Sequence, residues 1–560
     1  MPVDVDFEAM VTAKRADQIS RIPAEWLLPE AITSRVSPAT SEISAFGLFQ
    51  ETTLLTARER EITESYDATS LLEKLASGQL SSLEVTIAFC KRAAIAHQLT
   101  NCLTEIFFQK AIMRAKECDR YLSEKGTTMG PFHGLPISVK DVFMVEGEVA
   151  TMGFVSYLEK PPATHNSVII QMLLDAGAVL FCKTNVPQTL FVCDSENNVF
   201  GTTMNPHRLS LTSGGSSSGE GALIGFRGSV MGVGTDIGGS VRAPSLCCGT
   251  FGFKPTVDRL PWAGQQEHLR AGWPGVLPTS GPLATSARDL SLFTKTIISR
   301  QPWLQDATCL AIPWREVPRI LNPKLTIGVW LEDNELPVTP PVLRCLRAAA
   351  DKLRGEGHTI TFLKCPSLVE LIEVAKLGYR FDTSGTMQSH LRDESPIEPV
   401  INMEAALDNG PISLDSVWEF GAGRDTFRQR WGQIWRDNNL DVLICPGSRQ
   451  VAPLHGQYGV PIYTAIWNFL DFPAAVIPFG KVDKSLDAKQ MRDGSVPLHY
   501  DVNVVDGMPC SVQVVGWRYM DEETLSATEI IAECLSRHEK PLNGHVLVDS
   551  GRKGSGSAKL

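Results

Sequence analysis

The chain has 560 residues, of which 43% are apolar and 21% charged, and its formal net charge is -11. Those values describe a globular protein with room for a large core, and the negative balance argues against a basic face for nucleic-acid phosphates. Its 13 cysteines are an odd number without a C-x-x-C pair, which leaves no zinc ribbon or dithiol redox motif and fits reduced, buried thiols.

In chain order, the opening M-P-V-D-V-D-F-E-A-M carries acids where a signal peptide needs a basic region and an apolar run. Residues 1–65 hold short helical patterns broken by prolines, such as R-I-P-A-E-W-L-L-P-E. They read as a helical arm packed on a main domain spanning 66–545. At S-S-L-E, Ser81 and Glu84 have the spacing of a capping box. Leu83, Ile87, Cys90 and Ala94 follow at helical spacing on one face.

The stretch G-L-P-I-S-V-K-D-V-F (134–143) reads as a strand ending near Lys140. Residues 167–185 read as a helix, a stop at Gly177 and a buried strand. T-I-G-V-W at 326–330, the helical run 341–353 and H-T-I-T-F-L at 358–363 repeat that rhythm. D-V-L-I-C-P (441–446) and S-V-Q-V-V-G (511–516) are further buried strands. Helices alternating with buried strands predict an α/β layer fold, and no solenoid repeat interrupts it. The longest apolar stretch, 463–479, is broken by Asn468, Asp471 and two prolines. It falls short of the ~18 apolar residues of a membrane helix, so a soluble protein is expected. Residues 546–560 form a polar tail ending in Ala-Lys-Leu. That is one conservative step from the peroxisomal Ser-Lys-Leu address, and it predicts a cytoplasmic or peroxisomal protein.

Two glycine-rich, serine-bearing loops stand apart: T-S-G-G-S-S-S-G-E-G (212–221) and V-G-T-D-I-G-G-S-V-R (233–242). Neither carries the lysine of a P-loop, and Ile237 occupies the third glycine position of a dinucleotide fingerprint begun by Gly232 and Gly234. Gly215 to Gly219 match the G-x-S-x-G nucleophile elbow, but that elbow needs a buried strand before it, and N-P-H-R-L-S-L-T-S does not read as one. Serine chemistry without a nearby histidine needs another base. A neutral lysine would serve, and working near pH 7 means lowering its pKa by about three units through burial. Lys140, with Ser138 two positions back, is the candidate.

Taken together, G-G-S-S-S-G-E-G-A-L-I-G, G-V-G-T-D-I-G-G-S-V-R-A-P-S, G-F-K-P-T and G-L-P-I-S-V-K-D closely resemble the blocks of the amidase signature family. The flanks, among them K-T-N-V-P-Q-T-L and D-L-S-L-F-T-K, resemble its fungal acetamidase-type members. The resemblance runs from about 60 to 535. It implies one large mixed β-sheet of about eleven strands, covered by helices on both faces.

Residue by residue, the resemblance puts the nucleophile on Ser240, the bridging serine on Ser216, after a cis peptide bond, and the base on Lys140. The backbone N–H groups of Ile237, Gly238, Gly239 and Ser240 are expected to turn toward a developing oxyanion. Ser217 and Asp236 match supporting positions, and Arg242 is expected to anchor the loop through an internal ion pair. Ser218 replaces the glycine of the commonest motif. Met152, Thr184 and Cys193 are expected to line the pocket, and 190–205 and 455–475 to shape it.

The function implied is hydrolysis of a carboxamide through an acyl-enzyme, needing no cofactor and no metal. Small aliphatic amides such as acetamide are the first expectation, and a larger amide of secondary metabolism the alternative. A glutaminase subunit of an amidotransferase and a non-catalytic binding relative are the rivals. The partner is a small-molecule amide, without nucleic acid or membrane, and relatives suggest a homodimer.

Overall fold

A computed structural model describes residues 7–537, apart from 41, 268, 318–323, 393, 409, 490 and 495–497. The expected C-terminal tail and its Ala-Lys-Leu end lie outside the described residues, as do the first six.

The first strands are β1 Leu103–Ile106, β2 Pro136–Lys140, β3 Val179–Thr184, β4 Met204–Asn205 and β5 Arg208–Thr212. β6 Met231–Asp236, β7 Phe251–Lys254, β8 Thr279–Ala284 and β9 Thr326–Val329 follow. The last are β10 Thr359–Phe362, β11 Val442–Cys445, β12 Ala474–Lys481 and β13 Pro509–Val515. Eleven of them form one sheet in the order β1-β3-β2-β6-β8-β7-β12-β13-β11-β9-β10, and β4 pairs with β5 in a separate ribbon.

The sheet is mixed. β3, β2 and β6 are parallel, as are β11, β9 and β10, and the strands between are antiparallel. Helices flank it, which matches the α/β architecture expected. Every strand read from the sequence is present, because buried strands of such a sheet are short β-branched runs bounded by turn residues.

β2 carries the lysine singled out in the sequence. It lies between two parallel neighbours and all five residues are buried. Side chains alternate across a strand, so Ile137 and Val139 enter the apolar core while Ser138 and Lys140 point to the other face. That second face meets the helix Ser218–Gly225 and the loop before it: Ser138 donates to the Glu220 carboxylate at 2.7 Å, and Lys140 donates to Ser216 of the loop at 2.8 Å.

The arm packs on this body. Ile22, Trp26, Leu48 and Phe49 are buried in one cluster with Ala93, Ile95 and Leu99 of the helix Ser82–Thr100. Arg15 donates to the Val199 carbonyl at 2.6 Å, and Lys14 pairs with Glu105. All thirteen cysteines are free thiols and all but Cys365 are buried. Among the described residues, no helix is long and apolar enough to cross a membrane.

Three expectations need correction. Only half of the capping box forms: Ser81 Oγ accepts the Glu84 N–H at 3.0 Å, but the Glu84 carboxylate takes Arg58 at 3.0 Å instead of returning to the helix start. Of the expected face, Cys90 and Ala94 are fully buried but Leu83 and Ile87 only half-buried, while Val85, Ala88 and Phe89 off it are fully buried. That helix is covered on nearly every side, by Ala57–Ser65, Phe108–Lys125 and the arm, so no single apolar stripe could be read from it. Lastly, 208–212 is a strand, so strand, Ser217 and helix do follow one another as in an elbow. Its hydroxyl points into the protein, donating to the Thr235 carbonyl at 3.5 Å, and Ser217 has no exposed surface from which to attack.

Candidate active site

Lys140 ends β2 fully buried. Its Nζ lies 2.8 Å from Ser216 Oγ and 2.8 Å from Thr235 Oγ1 of β6. Burial lowers its pKa from the usual 10.5 to about 7, against the raising fields of Asp236, Cys193 and Glu220. A neutral lysine has two N–H donors and one lone pair. Its two contacts here, to Ser216 and Thr235, are both donated by Nζ, and the neutral amine carries a lone pair as well. The peptide bond between Gly215 and Ser216 is cis.

The second loop is organised by Asp236, the last residue of β6. Its carboxylate accepts the N–H groups of Gly239 at 2.8 Å and Val241 at 3.1 Å, and the Arg242 guanidinium from both Nε and Nη2 at 3.0 Å. Burial opposes that charge, yet Arg242 and Asn468 outweigh it and hold the Asp236 carboxyl down to about 2. Arg242 also donates to Thr464 O and Gln513 Oε1 at 2.9 Å and to Asn468 Oδ1 at 2.6 Å. Its contacts are thus all structural ones within the protein. Ser217 links the two loops by its backbone, donating its N–H to the Ser240 carbonyl at 3.1 Å, and its side chain caps nothing.

Gly239 departs from the expected set of four donors. Its N–H is already used by Asp236, unlike the free donor expected of it. Its φ of +139° and a Thr464 Oγ1 only 2.2 Å from an added Cβ make glycine obligatory there. Gly232 and Gly234, which mimicked a nucleotide fingerprint, serve packing. A Cβ at 232 would lie 1.8 Å from Glu220 Oε2, and one at 234 would lie 2.5 Å from Ser217 Oγ.

Arg242 invites a stability test. Arg242→Met should leave the Asp236 carboxylate buried without a counter-charge, costing about 3–5 kcal/mol. Urea unfolding of the two proteins checks this, and a loss below about 1 kcal/mol would contradict the ion pair's role.

Sequence reading missed several groups. Glu220, fully buried, accepts Ser138 Oγ at 2.7 Å and Thr184 Oγ1 at 2.9 Å, tying the serine-bearing helix to β2 and β3. Burial pushes its carboxyl up to about 7. Thr464 Oγ1 donates to Gly238 O at 2.8 Å, and Tyr379 donates its hydroxyl to Ile237 O at 2.9 Å. Among the described residues, no group of three His, Cys, Asp or Glu side chains could hold a metal.

Beside these loops lies a cavity of about 620 Å³. Tyr379 joins it to the second loop, and Val192, whose carbonyl packs 2.8 Å from the Cβ direction of Gly215, joins it to the first. Phe191, Trp273, Val400, Met403 and Leu407 supply much of the apolar wall. Charged groups at its edge already have partners in the protein: Arg380 with Asp408, Glu404 with Gln388, and Asp382 with Ser384. Of the stretch 190–205, Phe191 and Val192 line this cavity, but the larger share comes from 379–412. Met152, Thr184 and Cys193 do not line it. Thr184 is engaged by Glu220, and the other two are buried in apolar clusters. The stretch 455–475 braces the loop through Thr464 and lines no part of this cavity.

Comparison with known proteins bears on this arrangement. The family model described as Amidase matches residues 84–525. An amidase of Gibberella moniliformis is 51% identical over 537 residues, covering 95% of this chain and 99% of its own. An acetamidase of Emericella nidulans is 35% identical, covering 96% of this chain and 99% of its own. Among solved structures, a fatty acid amide hydrolase superposes with a TM-score of 0.88 at 33% identity, over 95% of each chain.

Proposed function

We propose, from the premise that the chain belongs to the amidase signature family and is an amide hydrolase, that Ser240 is the nucleophile, Ser216 the proton bridge and Lys140 the base. The observation that carries this reading is the contact of a fully buried Lys140 with Ser216 at 2.8 Å, with burial lowering the lysine to about 7. Near neutral pH a large share of Lys140 is then unprotonated. Ser216 passes its proton to Lys140 as it takes that of Ser240, and Ser240 Oγ attacks the amide carbon. The N–H groups of Ile237, Gly238 and Ser240 stabilise the oxyanion. On collapse the C–N bond breaks and the proton returns through Ser216 to the departing ammonia or amine. Water then attacks the acyl-enzyme by the same relay and releases the acid.

The cavity beside the loops supports one of the two substrate readings over the other. Sites for drug-sized ligands measure ~300–1,000 Å³, and a methyl group would leave most of a 620 Å³ cavity with a partly apolar wall empty. We therefore favour a neutral amide carrying an apolar group larger than methyl, over acetamide itself. The relatives' names span both readings, since one is an acetamidase and another a fatty acid amide hydrolase.

Ammonia release over acetamide, butyramide, hexanamide, benzamide and glutamine tests this. Each buried methylene contributes ~0.8 kcal/mol, so kcat/KM should rise about fourfold per carbon from acetamide to hexanamide. Glutamine should not be turned over. An optimum at acetamide would return the small-amide reading. Silence on every amide, with no acyl adduct on Ser240 from an activated ester, would favour the non-catalytic binding relative.

A further inference from the structure

Tyr379 follows the helix Leu368–Leu377 by two residues, and its backbone is wedged in place. The Gly378 carbonyl accepts the Val276 N–H at 3.0 Å, and a Cβ at 378 would meet the Phe420 ring at 2.2 Å. From this fixed base the side chain does two things. Its ring stands edge-on to Phe191, with centroids 6.1 Å apart and planes at 82°, and the pair forms part of the cavity wall. Its hydroxyl donates to Ile237 O at 2.9 Å.

A trans peptide is planar, with its C=O and N–H on opposite sides. Holding the Ile237 carbonyl therefore sets the direction of the Gly238 N–H, one of the three donors left for the oxyanion. The next carbonyl, of Gly238, is held in turn by Thr464 Oγ1 at 2.8 Å. Of these two hydroxyl groups, only Tyr379 belongs to a side chain that also lines the cavity. Gly238 itself is open on that side: the nearest atoms to an added Cβ are Tyr379 Oη at 3.6 Å and Pro461 Cγ at 4.0 Å. Among the described residues, the tyrosine hydroxyl is the side-chain group on this side that holds the 237–238 peptide.

We propose that Tyr379 is a positioning residue that couples the cavity to the oxyanion loop. An apolar group seated against its ring restrains the side chain, and its hydroxyl then holds the Gly238 N–H toward the reacting carbonyl oxygen. This coupling presupposes Ser240 as the nucleophile. It turns binding of a part of the substrate remote from the amide into rate, since interactions realised in the transition state raise kcat rather than only lowering KM.

The test compares wild type with Tyr379→Phe, which keeps the ring, its packing on Phe191 and the cavity volume. Acylation of Ser240 is followed in the pre-steady state with p-nitrophenyl acetate, which leaves the cavity nearly empty, and p-nitrophenyl hexanoate, which enters it. In wild type the hexanoate should acylate faster at saturation. In Tyr379→Phe its maximal acylation rate should fall about tenfold, the effect of losing one hydrogen bond that orients an oxyanion donor. The half-saturating ester concentration should stay within about twofold. The rate advantage of hexanoate over acetate should shrink in the variant.

An unchanged maximal rate on both esters, or a change confined to half-saturation, would make Tyr379 a wall residue only and overturn the coupling. Tyr379→Leu separates the two contributions: it should lose both the rate and the saturation preference for hexanoate. Absence of any acyl adduct in wild type would overturn the serine assignment and the coupling with it. An adduct that forms equally fast in Tyr379→Phe would sink the coupling alone.

Discussion

Alanine at Ser240 is expected to lower amide turnover by about five to six orders of magnitude, the scale reached when the nucleophile of a concerted serine site is removed. The fold should survive the change. Ser240 is nearly buried, but the interaction it makes with the first loop is through its backbone carbonyl, which accepts the Ser217 N–H at 3.1 Å. Alanine keeps that bond. Unfolding midpoints of wild type and variant should therefore agree closely, while ammonia release and adduct formation vanish together. A variant that retained a tenth of wild-type turnover would remove Ser240 from the mechanism and return attention to Ser216.

Replacement of Lys140 by methionine is the second large effect. Methionine fills a similar volume without a proton acceptor. Acylation should fall about 10⁴-fold, near the upper end of what one positioned base contributes. The pH dependence carries the sharper information. Burial places the Lys140 pKa at about 7, and only the neutral amine can take the Ser216 proton. Wild-type acylation should accordingly rise with pH through about 7 and level off above it. Below that pH the lysine is protonated, and the relay has no acceptor. Lys140→Met should lose this acid limb, leaving a low rate without an inflection near 7. A wild-type limb near 10, or an unchanged limb in the variant, would show that another group is the base.

Glu220 and Asp236 bear on that limb, because both fields favour the charged lysine. Their environments differ. Asp236 is held ionised by Arg242, whereas Glu220 sits among the hydroxyl groups of Ser138 and Thr184 and is pushed up to about 7 by burial.

Much of this was legible along the chain. Residues 136–140, 179–184, 326–329, 442–445 and 509–515 announce themselves as buried strands, since a strand covered on both faces is apolar over most of its length. The ribbon strand Arg208–Thr212 was not legible: it pairs with only two residues, Met204–Asn205, and its buried surface is met by distant loop segments such as 453–455. The helix Ser82–Thr100 misled for the opposite reason. Covering by other elements on nearly all sides removes the single apolar stripe that periodicity detects.

The sequence by itself determined the family and pointed to the candidate groups. Two serine-bearing glycine loops about twenty residues apart, and a lysine at the end of an apolar strand, are local patterns, and local patterns survive in one dimension. The tertiary structure alone decided which strands lie beside which, how far the lysine pKa falls, and which N–H groups remain free for an oxyanion. It also brought Tyr379, Thr464 and Asn468 from 142 to 232 residues away onto the loop of Ser240, and built a cavity wall largely from 379–412. Contacts across such separations depend on how whole elements pack, and desolvation depends on everything that surrounds a group. Neither quantity is carried by the residues next to it in the chain.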